Sequence, residues 1–177
     1  MFWRRKTEED LPDAADEEAA AQESSDLAPV RIFTLDAVID GWVRIGGQRL
    51  SDVLNVEDLL SVASVPTEPM DSNWFVVERE HMLAVVPPSH TSDRSVRLHR
   101  VRRRVVAETG HYTVRGLVHM IAGIELDPML ARTRQHFLPI TDAWVTSSVV
   151  TELNEEHPAL LLNVAAPGRR IRLEVLG

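Results

Sequence analysis

No cysteine occurs among the 177 residues, which excludes disulfide staples, thiolate nucleophiles and cysteine-ligated metal centres. Lysine is almost missing as well: Lys6 is the only one, and arginine supplies the rest of the basic charge. No apolar run approaches the roughly 18 residues a membrane-crossing helix needs, and the N-terminus lacks the apolar stretch of a secretory signal. The expected setting is therefore the cytoplasm. The catalytic fingerprints are absent too. There is no nucleophile elbow, no phosphate-cradling glycine loop and no G-x-G-x-x-G after a strand. Seven histidines (His81, His90, His99, His111, His119, His136, His157) form no H-x-H or H-E-x-x-H pair; the nearest approach is Glu80-His81. Neither a metal nor a cofactor is expected.

What is there begins with charge. The formal net charge is −8, unevenly spread: residues 1–28 hold nine acids against Arg4, Arg5 and Lys6, a net of −6, which leaves −2 for the other 149 residues. A segment this acidic, with few large apolar side chains, cannot offset its ordering entropy, so residues 1–28 are expected to be a disordered tail. "MFWRRK" has the composition of a membrane-surface anchor, but the acids that follow it repel the same lipids.

From Val30 the pattern alternates with period two: "VRIFTLDAVIDGWVRI" reads as a pair of strand segments, with Gly41 at a bulge or bend. Gly46-Gly47 closes it, "RLSDVLN" follows, "LLSVASV" reads as a further strand, and "NWFVVEREHMLAVVPP" as two strands about "REH". The order then repeats. "VVAETGHYTVRGLVHMIAG" parallels the first run, placing Gly116 against Gly41 and Asp127 against Asp52; "FLPITDAWV", "ALLLNV" and "RRIRLEVLG" complete the second copy. With 44% hydrophobic residues the chain can bury a core. The expected fold is α+β dominated by antiparallel strands. Two similar small sheets or half-barrels, residues 30–88 and 101–177, are joined by a linker at 89–100. Each carries a short helix, at "RLSDVLN" or "DPMLARTRQ", and the two sheets pair edge to edge in a pseudo-twofold, with homo-oligomerisation following the same logic.

"RLSDVLN" with "GWVRI" upstream, "FLPITDAWV" and the "WFVVEREHMLAVVPP" hairpin resemble a bacterial domain family of unknown function with an R-L-(S/T)-D-x-L-N signature and a strand ending near T-D-A. The resemblance covers residues 31–88 and, more weakly, 105–174. The first copy keeps the signature and replaces T-D-A by "VAS"; the second keeps "FLPITDAWV" and has "IELDPML" where the signature belongs. The resemblance implies a fold and no activity.

Within "RLSDVLN" the physical reading is a helix start: Ser51 or Asp52 caps free N–H groups, Leu50 and Leu54 share a face, Asn55 ends the turn in a left-handed conformation, and Arg49 pairs with a carboxylate. The sharper reading makes Arg49, Asp52 and Asn55, with Asp127 and Asp142, a ligand or partner site in a groove between the copies. A second candidate is the run Arg94, Arg97, Arg100, Arg102, Arg103 and Arg104, a footprint for phosphate or for the acidic tail, with Arg102 and Arg104 on one strand face and Arg103 on the other. Nucleic-acid binders interleave aromatics with basic residues, and this run has none. Trp42, Trp74 and Trp144 read as core. The expected function is a non-catalytic interaction or scaffold module for a protein partner or for itself. A small-ligand or nucleotide sensor and a nucleic-acid binder are the alternatives.

Overall fold

The computed structural model describes residues 27–64, 74–88, 100–132, 135–166 and 168–173. The tail up to residue 26, Arg94, Arg97 and the linker before Arg100 lie outside the described residues. Ten strands follow the period-two runs: β1 Leu27–Phe33, β2 Val38–Arg44, β3 Leu59–Ala63, β4 Trp74–Glu78, β5 Ala84–Val86, β6 Arg100–Thr109, β7 Tyr112–Ile121, β8 Phe137–Ser147, β9 Asn154–Asn163 and β10 Arg170–Leu173. Two helices interrupt them, α1 Leu50–Val56 and α2 Leu126–Arg132, and a 3-10 turn at Arg79–His81 separates β4 from β5. β1 opens at Leu27, so Leu27 and Ala28 belong to the sheet and not to the tail.

Where the chain reverses, local chemistry explains why. Thr34 closes the β1–β2 turn, its amide and hydroxyl both donating to the Ala37 carbonyl at 2.9 Å. Gly110, at φ +57, turns β6 into β7. The two strand glycines act differently from the expected bend. A Cβ on Gly41 would press on Val62 Cγ1 and sit 2.7 Å from the Ala63 carbonyl oxygen; one on Gly116 would press on Ile140 Cγ2 and sit 2.9 Å from the Thr141 oxygen. Gly41 thus stands inside a regularly paired strand because the neighbouring strand lies close. The irregularity falls at Arg115/Leu117, around Gly116.

All ten strands join one antiparallel sheet in the order β10-β6-β7-β8-β9-β5-β1-β2-β3-β4. The expected α+β, strand-dominated class holds, with the strands of both halves running on as a single open sheet. The first half reads β5-β1-β2-β3-β4 and the second β10-β6-β7-β8-β9, the same order twice. Counterparts lie five places apart in an all-antiparallel sheet and so run in opposite directions. Same order with opposite direction is a half-turn about an axis along the sheet, combined with a shift, and a half-turn of that kind exchanges the two faces.

The side chains agree. Consecutive residues of a strand point to opposite faces, and Val85 and Leu161 enter one core while Ala84, Leu160 and Leu162 enter the other. One core holds Ile32, Val43, Leu50, Leu54 and Val62 of the first half and borrows Phe137 and Leu161 from the second. The other holds Val105, Val114, Met120, Leu126 and Ile140 of the second half and borrows Phe33, Leu83 and Ala84 from the first. The expected pseudo-twofold is therefore corrected: a twofold pairs like edges, whereas the joint here sets β9 against β5, which are not counterparts. Unlike edges meet because each supplies what the other core lacks, and each fully buried Leu or Phe side chain contributes about 1.5–3 kcal/mol.

Candidate functional site

The "RLSDVLN" segment is a joint. Leu50 and Leu54 are buried on one face of α1, as their spacing predicts. Arg49 occupies the N-cap position and no side chain caps the helix; the Arg49 carbonyl takes the Asp52 and Val53 amides at 2.9 and 3.2 Å. Ser51 and Asp52, the expected caps, lie inside the first turn, and the Ser51 hydroxyl reaches only the Asp52 carboxylate at 3.4 Å. Arg49 is exposed, and no carboxylate lies within ion-pairing range of it among the described residues.

Asn55 departs furthest from expectation. It remains helical; Asp142 is the non-glycine residue with positive φ among those described. Its Nδ2 donates to the Ser51 carbonyl at 2.6 Å, and its Oδ1 accepts the His136 and Phe137 amides at 2.6 and 3.1 Å. The asparagine of the first half thereby holds the first residue of "FLPITDAWV" in the second half. Asn163, which sequence reasoning passed over, reciprocates: its buried Nδ2 donates to the Arg79 and Met82 carbonyls at 3.0 and 2.8 Å, and its Oδ1 accepts the Ala165 amide at 2.9 Å. A third crossing is ionic. Arg31 grips Asp40 at 2.7 and 2.8 Å and Glu155 at 2.7 Å, and Glu155 meets His157 at 3.0 Å. The Arg31 guanidinium holds the Asp40 carboxyl below its usual range, and the hydrogen bonds it donates to Asp40 and Glu155 raise Arg31 in turn.

The remaining members of the first candidate site do not gather there. Asp127 is in the first turn of α2. Asp142 lies on β8 at φ +49 and lines an open cleft with Ala143, Trp144, Glu156, His157 and Pro158. None of Arg49, Asp52 or Asp127 lines that cleft. The Glu80-His81 pair singled out in the sequence is joined by Glu78 about the 3-10 turn; the ligand atoms of the three lie within 4.8 Å of one another, all exposed.

The arginines do gather, more broadly than the run suggested. On β6, Arg102, Arg104, Val106 and Glu108 share one face and Arg103 takes the other; Arg100 begins the strand. Register places Arg172 of β10 and Arg115 of β7 on either side of Val106, with Arg170 opposite Glu108 and His119 opposite Arg102. Trp144 lies beside Arg115, and Glu156 beyond it. One row thus crosses five strands as Arg172, Val106, Arg115, Trp144, Glu156. Strands are spaced about 4.8 Å, so Arg172 and Arg115 stand about 10 Å apart. Arg102, Arg104, Arg115, Arg170 and Arg172 are all exposed, as are Glu108 and Glu156 in the same rows. Glu108 meets Arg172 at 3.5 Å. Trp144, expected in the core, is 44% exposed on this face, its Nε1 donating to the Asn154 Oδ1. Its strand turns that side to solvent, since the alternate residues Ala143 and Val145 fill the core.

No protein-family model, curated protein or solved structure matches the chain.

Proposed function

We infer that this protein is a non-catalytic interaction module of the bacterial cytoplasm whose working surface is the arginine face of β10, β6 and β7. The observation that carries this reading is the placement of five exposed arginines, from three strands, on one side of a sheet belonging to a chain of net charge −8. The face is open and its charge is spread, which suits an extended acidic partner better than a small substrate. The nine acids of residues 1–28 have the matching chemistry. In this reading that arm covers the face, in the same chain or in a neighbouring one, and an incoming acidic partner displaces it. Exposed charge pairs contribute little singly, about 0.2–1 kcal/mol each, so binding depends on several acting together and weakens with salt.

A single-stranded nucleic acid is the second reading, favoured by one observation: exposed Trp144 sits next to Arg115, the pairing of ring and cation that stacks bases and holds phosphates.

Fluorescence anisotropy of two labelled probes, a peptide of residues 8–26 and an oligothymidylate, titrated with the full chain tests both. The peptide is expected to bind with salt-sensitive affinity that drops at least tenfold in an R104Q/R115Q/R172Q variant and rises when Glu17, Glu18 and Glu23 of the protein are changed to Gln. Tighter binding of the oligonucleotide, lost in Trp144→Ala, would favour the second reading. Binding of neither probe would sink both.

A further inference from the structure

Among the described strands the sheet has two open edges, β4 and β10. Pairing shows which residues are equivalent: Phe75 and Val77 face Val62 and Leu60, as Leu160 and Leu162 face Ile140 and Leu138. Val76 therefore corresponds to Leu161. In the second half β5 lies against β9 and Leu161 is 5% exposed; on β4 nothing described covers Val76, which is 57% exposed, with Phe75 at 38% and neighbouring Leu59 at 57%. Lysine, proline and bulges, the usual protections of a sheet edge, are missing from β4. Beside it Phe75 and Val77, with Leu35 and Ile39, line an open cleft of about 330 Å³.

β10 of another copy would extend the internal pattern head to tail, but its chemistry forbids it. Where the internal joint buries Phe33 and Ala84 and half-buries Val86, the same registers at the far edge hold Glu108, Arg170 and Arg172. Packing them against an apolar core removes three charges from water, at several kcal/mol per ion. Like must then meet like.

We propose that β4 pairs antiparallel with β4 of a second copy about a twofold axis at Val76, joining two sheets into one of twenty strands. Val76 meets the partner's Val76, and Phe75 lies opposite the partner's Val77, closing the cleft of each protomer. Trp74 lies opposite the partner's Glu78. Arg44 sits 5.9 Å over the Trp74 ring, so the partner's carboxylate arrives beside a cation. The two Glu78 carboxylates stay roughly 13 Å apart along the strands. This interface is separate from the arginine face.

The absence of cysteine makes the test direct. Val76→Cys introduces a lone thiol at the twofold, where facing Cβ atoms lie about 4.5–5.5 Å apart, within reach of a disulfide after a small adjustment. The full chain is expected to sediment as a dimer, and mild oxidation of Val76→Cys to yield a covalent dimer. Val149→Cys, exposed on the β8–β9 turn, should give no more than collisional cross-linking, and Val76→Lys should weaken association at least 100-fold with an unchanged far-UV spectrum. A monomeric wild-type chain overturns the proposal. So does a dimer that Val76→Lys leaves intact, or a mixed disulfide between Val76→Cys and Ile171→Cys, which reports the head-to-tail joint.

Discussion

Asn55 shows how far one side chain reaches beyond its own helix. Substitution by Ala removes the acceptor for the His136 and Phe137 amides, and Phe137 is fully buried, so its N–H has no ready water to replace the lost bond. An unsatisfied buried donor costs about 1–3 kcal/mol. We expect Asn55→Ala to lower stability by that amount in urea denaturation, and Asn55→Asp, which keeps the acceptor, to lose less; equal losses would show that the bond contributes nothing. Residue types in "RLSDVLN" pointed to a helix and to the shared face of Leu50 and Leu54. They do not reveal Asn55's partners, because those lie 81 and 82 positions away and the bond is to backbone, which leaves no mark on residue identity at 136 and 137. Trp144 was misplaced for a related reason: a large aromatic on an alternating strand reads as core until the neighbouring strands fix which face is wet.

At the scale of elements, period-two alternation located the strands, and the order of segments set Gly41 against Gly116. What it does not specify is why those glycines are there. Both accept the close approach of the following strand, one in a regular ladder and one at a bulge. Gly41→Ala forces a methyl group against Val62 and the Ala63 carbonyl, a backbone group that cannot swing away. A loss of about 1–3 kcal/mol follows, measurable by thermal unfolding, and Gly116→Ala should match it within about 1 kcal/mol if the two sites are equivalent. A neutral Gly41→Ala would show that the strand spacing adjusts freely. The arginine face was half legible: alternation separates Arg103 from Arg102 and Arg104, whereas bringing Arg115, Arg170 and Arg172 to the same face requires the strand order.

For the whole molecule, the two halves exchange apolar side chains across the β5–β9 joint, so neither core is complete alone. Phe33→Ala, made in the first half, empties a position in the second half's core. A loss of about 3–5 kcal/mol is expected in a single cooperative transition, followed in parallel by far-UV dichroism and by amide exchange in β2 and β7. Two separated transitions would show that the halves fold independently. Sequence divided the strands into two groups, but did not show that they join in one sheet or by which edges, since edge choice depends on which side chains the other half supplies and on the charges of β10. The same exchange sets a timetable for synthesis. Val85 leaves the ribosome 76 residues ahead of Leu161, and at roughly 5–20 residues per second the first half waits about 4–15 s for the side chain that seals it. During that interval the nascent chain presents an unsealed apolar groove, exposed until the second half arrives to cover it.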